Sequence, residues 1–74
     1  MKVFHHPDGG HYVIADDLNH SMKMDDGRWE PSVAYRRVIR IKDRWAYEGK
    51  NIFHTTKARW AERFTEIEDG AENL

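Results

Sequence analysis

Apolar and polar residues alternate over short stretches along most of this chain, and that pattern predicts strands rather than helices. Val3-Phe4-His5 is a short β-prone run, Pro7-Asp8-Gly9-Gly10 a turn, and His11-Tyr12-Val13-Ile14-Ala15 a second strand. Asp16 to Ser21 is polar and reads as a turn. Met22 to Asp25 fits either a short strand or a loop, and Asp26-Gly27 marks a tight turn. Pro31 has no amide hydrogen for a ladder, so it belongs at a strand start or on an edge. Ser32 to Ile41 is the longest β-prone run. Strict alternation there puts Val33, Tyr35, Arg37, Ile39 and Ile41 on one face, and Ala34, Arg36, Val38, Arg40 and Lys42 on the other. Arg37 interrupts the first face and Val38 the second, which predicts a bulge near Arg36-Arg37 or the end of the strand.

Lys42-Asp43 reads as a turn, and Arg44 to Glu48 as a strand with Trp45 and Tyr47 on one face. Glu48 to Asn51 is a further turn and Ile52-Phe53-His54 a further strand. The period then changes. Thr55 or Thr56 caps a short helix through Arg63, with Trp60 and Phe64 one turn apart on a shared face. Thr65-Glu66-Ile67 adds a last short strand. The expected fold is mainly β: a small SH3-like barrel of about five strands with one short helix near the C-terminus. Residues 1–67 form a single domain and 68–74 an acidic flexible tail. Tyr12, Val33, Tyr35, Phe53 and Phe64 are the expected core. Trp29, Trp60 and Phe64 are expected to close the barrel ends, which leaves Trp45 as the exposed aromatic.

Composition narrows this picture. The chain has 74 residues and no cysteine, so no disulfide or thiolate–metal site staples it. A domain this small needs its large side chains for a core, and 12% of its residues are aromatic. No apolar run approaches the roughly 20 residues that span a bilayer, and the N-terminal residues lack the apolar core of a signal peptide. A cytoplasmic location with no membrane partner is expected. Charge is strongly segregated. Residues 1–35 carry three basic and six acidic side chains, residues 36–64 nine and three, and residues 65–74 none and four. Such a pattern bears on partners rather than on fold.

Four blocks carry a resemblance: Phe4-His5-His6, Gly9 to Val13, Gly27 to Arg36, and Phe53 to Phe64. In that order they resemble a short, functionally uncharacterised bacterial and phage domain family thought to adopt an SH3-like barrel. The resemblance spans nearly the whole chain, and most matched positions are aromatic or glycine. It implies a fold and no reaction. The chain departs from the family pattern at Thr55, where Arg is common, and at Trp60, where Phe is common. Its segment 38–52 is also longer, which implies an extended hairpin.

Candidate chemistry is sparse. Five histidines are present, and His5 and His11 are placed to face each other across the first hairpin, with Asp8, Asp16 or Asp17 as oxygen donors nearby. No spacing matches a zinc signature, and adjacent His5 and His6 point to opposite strand faces. The histidines therefore read as structural or exposed, and neither metal nor cofactor is expected. There is no phosphate loop and no nucleophile elbow, so the chain reads as non-enzymatic. The expected function is a small interaction module that binds a protein partner, by analogy a phage-derived modulator of a host protein. Arg36, Arg37, Arg40, Lys42, Arg44, Trp45 and Tyr47 are the expected partner-binding residues. The alternative is a nucleic-acid-binding barrel that uses the basic 36–44 hairpin along a phosphate backbone.

Overall fold

The computed structural model describes residues 1–70, with side chains for all of these except 16–19. Six strands and one helix follow one another as β1 (Val3–His5), β2 (His11–Lys23), β3 (Trp29–Ile41), β4 (Arg44–Tyr47), β5 (Phe53–Thr56), α1 (Lys57–Arg63) and β6 (Thr65–Glu68). All pairings are antiparallel, in the order β4-β3-β2-β1-β6, and β5 pairs with the first half of β3. The fold is mainly β with one short helix, as the alternation predicts. Among the described residues no helix is long and apolar enough to cross a membrane.

Two expectations about the strands do not hold. The polar segment after Ala15 does not turn the chain: β2 runs on to Lys23. Between Ile14 and His20 it advances six residues while β3 retreats three, from Tyr35 to Ser32. The irregularity is therefore in β2. Pairing across Arg36-Arg37 is unbroken, with Val13 opposite Arg36 and Tyr12 opposite Arg37. The mixed faces of β3 have another cause, which is that the sheet buries side chains on both sides.

On one side Val3, Val13, Val38 and Trp45 form a core with Met1 packed against it. On the other, Tyr12, Val33 and Trp60 are buried beside Phe4, Tyr35 and Phe64. A strand flanked by two cores shows no clean alternation. Helix α1 covers the second side. At seven residues it is too short to persist alone. It is held by its cap, where Thr56 Oγ1 accepts from the Arg59 amide at 3.1 Å, and by Trp60, whose ring stacks on Phe64 at 3.8 Å.

The expected closed barrel of about five strands is not formed: the sheet has six strands and is open, since no ladder joins β4 to β6. It curls far enough for side chains to bridge the gap, however. The Trp45 indole on β4 donates to Glu68 Oε2 on β6 at 2.8 Å, across three intervening strands. Beyond the bulged part of β2, the far halves of β2 and β3 form a two-stranded ribbon, and the molecule extends to 44 Å along one axis against about 20 Å across. Trp29 sits on this ribbon opposite Lys23 and is 66% exposed. It does not close a barrel end, because among the described residues no element besides β2 and β3 packs there. Phe53, expected in the core, is 40% exposed against Tyr35. Its strand β5 lies at the edge of the sheet, with β3 as its one ladder partner.

Candidate partner-binding groove

Strand β3 outruns its neighbour. His11 opposite Val38 is the last pair with β2, and from Ile39 to Ile41 β3 is held by β4 alone. The overhanging hairpin turns in two residues, with Lys42 in the left-handed region at φ 56°. Ile39 and Ile41 lose the cover a further strand would give, and both are exposed.

Beside this overhang lies an open groove of about 540 Å³. It is lined by the buried Val38 and Trp45, the exposed Ile39 and Ile67, the charged Arg37 and Arg40, and Gly9 to His11, with Val38 and Arg40 leaving one face of β3 and Arg37 and Ile39 the other. Arg37 Nε lies 3.0 Å from Glu48 Oε2, and an Arg40 guanidinium nitrogen lies 3.4 Å from Glu68 Oε2. All four of these side chains are between 38% and 49% exposed. Ion pairs this wet contribute about 0–1 kcal/mol, so a carboxylate from another molecule can replace either partner at little cost. The Arg40 guanidinium also lies 5.3 Å from the centre of the Trp45 ring.

The expected binding residues fall into three groups. Arg37, Arg40 and Trp45 line this groove. Arg36 and Tyr47 pair elsewhere: the guanidinium lies 3.8 Å above the Tyr47 ring and donates to the Gly49 carbonyl at 2.9 Å. Tyr47 borders a second groove of about 610 Å³ with Met1, Phe4, Val13 and Ile14. Lys42 and Arg44 sit at the exposed tip of the overhang. Trp45 is not the exposed aromatic. It is 4% exposed, because it packs with Val3, Val13 and Val38, and Glu68 on β6 supplies an acceptor for its indole.

Ile39, Ile67 and His11 complete the groove and stood outside the expected set. Ile39 and Ile67 read as ordinary strand residues in sequence. Their exposure follows from where neighbouring strands stop. His11 faces His5 across the first hairpin, with ring centres 5.1 Å apart, and its other side meets Trp45 at 5.1 Å. Burial, with the nearby charges of His5 and Arg37, pushes its pKa below the usual 6.5. The turn before it is held by Asp8, which accepts from the Gly10 amide at 2.6 Å and from the Tyr12 hydroxyl at 3.0 Å. The Gly10 bond is the first of the causes that lower the Asp8 pKa. A side chain at Gly10 would meet both Asp8 Oδ1 and the Tyr12 ring at 2.9 Å.

Comparison of the chain with family models, curated proteins and solved structures gives no match. Among the described residues no group of three or more His, Asp or Glu side chains is gathered to hold a metal ion.

Proposed function

We propose that this chain is a non-enzymatic interaction module that binds a protein partner in the groove beside the β3–β4 overhang. The occupant fits a segment with apolar side chains flanked by carboxylates. The observation that carries this reading is the combination at one place of exposed Ile39 and Ile67 with Arg37 and Arg40. The apolar walls supply contact area, and the arginines supply charge complementarity that sets orientation and speeds encounter. The weak pairing of these arginines with Glu48 and Glu68 leaves them open to exchange.

The short helix before the last strand is in keeping with the SH3-like domain family that the sequence resembles, while the open sheet departs from its closed barrel. A phage-derived modulator of a host protein remains the biological role proposed by that analogy.

Nucleic-acid binding through 36–44 has less support. Arg36 is spent on a backbone carbonyl and a tyrosine ring, and Lys42 and Arg44 sit at the hairpin tip apart from the groove that Arg37 and Arg40 line, so the cations of this segment form no single track for a phosphate backbone. Co-purification from the native host, with and without nuclease, tests the choice. The expected result is a stoichiometric protein partner that survives nuclease. Recovery of nucleic acid alone, with affinity falling steeply in salt, would overturn it.

A further inference from the structure

We propose that His5 and His11 form a two-histidine site for a divalent transition-metal ion at the mouth of the curled sheet. The two residues are direct cross-strand partners on β1 and β2, so their side chains leave the same face side by side. Their ring centres are 5.1 Å apart and the planes are inclined by 53°. Two imidazoles that bind one ion at about 2.0–2.1 Å, with a nitrogen–metal–nitrogen angle near 90–110°, have centres roughly 4.5–5.2 Å apart. The observed separation lies in that range without any strand movement.

Both rings are half-buried, which limits their rotation, and His11 is further fixed against Trp45. No hydrogen bond to another described residue occupies either imidazole. The nearby positive charges are Arg37, which faces Glu48, and Arg40, which faces Glu68, so each is offset by a carboxylate.

Two nitrogen ligands, with water completing the coordination, suit the borderline ions at the upper end of the Irving–Williams order, with Cu²⁺ bound more tightly than Zn²⁺. His11 also lines the partner groove, but the partner-binding reading does not require a metal ion.

The test titrates the full-length, untagged chain at pH 7.5 with Cu²⁺ and with Zn²⁺. Calorimetry gives the stoichiometry, and pulsed electron paramagnetic resonance counts the imidazole nitrogens on Cu²⁺. The expected result is one Cu²⁺ per chain with two imidazole nitrogens, quenching of tryptophan emission through nearby Trp45, and a higher melting temperature with Zn²⁺. His5→Gln and His11→Gln are each expected to weaken Cu²⁺ binding at least tenfold, while His54→Gln, on exposed β5, leaves it unchanged. Absence of saturable binding, a single coordinated nitrogen in the unmutated chain, or unchanged affinity in His5→Gln would overturn the proposal. The nitrogen count needs no variant, so misfolding of a substituted chain does not blunt it.

Discussion

Trp45 joins the two edges of an open sheet through a single side chain. It packs on Val3, Val13 and Val38 from β4 and donates to Glu68 on β6. Trp45→Ala is therefore expected to cost about 3–5 kcal/mol, a large share of the roughly 5–15 kcal/mol that a domain commands. Thermal melting followed by circular dichroism should show an early or absent transition. Glu68→Ala strands the indole donor in a part-buried position and should cost about 1–3 kcal/mol.

Acid should weaken the fold in two steps. The folded pKa of His11 lies below 6.5, so the unfolded chain takes up that proton more readily. Stability is full above about pH 6.5 and declines as pH falls below it. Asp8 lies below 3.8 in the fold, so its contribution is lost at still lower pH. Urea midpoints measured from pH 8 to pH 3 should fall monotonically, and His11→Gln should remove the upper step.

Residue roles were readable where local chemistry decides them. The turn at Asp26-Gly27 and the burial of Tyr12 and Val33 belong to that class. The burial of Trp45 does not, since it depends on Val3 and Val13 from distant strands, with Glu68 arriving from 23 residues away.

At the level of elements, the helix boundaries and its threonine cap follow from the sequence because capping and the Trp60–Phe64 spacing are local. Thr56→Ala leaves the Arg59 amide without its acceptor and should cost about 1 kcal/mol. Hydrogen exchange should speed up in the first turn of α1, while β2 and β3 stay protected. The length of β2 was not readable. Asp16-Asp17-Leu18-Asn19 has turn composition, yet the chain crosses it extended by shedding register against β3. The two-sided burial of β3 was likewise hidden, because alternation reports one core and this strand serves two.

For the whole molecule, segregated charge directed attention to 36–44, and the fold redistributes it. Glu48 and Glu68 return to face Arg37 and Arg40, which line one groove, while Arg36 turns instead to Tyr47 and the Gly49 carbonyl. The groove walls were invisible in sequence because they exist only where β2 stops short and β6 passes by. Among the exposed apolar surfaces, the groove at Ile39 and Ile67 and the ribbon at Trp29 are the pair that one experiment separates most cleanly. Trp29→Ala on the exposed ribbon should change stability little, whereas Ile39 is 38% exposed within a ladder and Ile39→Asp should cost about 1–2 kcal/mol. The decisive measurement is partner capture from nuclease-treated native extract by Ile39→Asp and by Trp29→Ala, each shown by thermal melting to be folded at the temperature of the assay. The groove account predicts that Ile39→Asp loses the partner and Trp29→Ala keeps it. Retention by Ile39→Asp with loss by Trp29→Ala would contradict it.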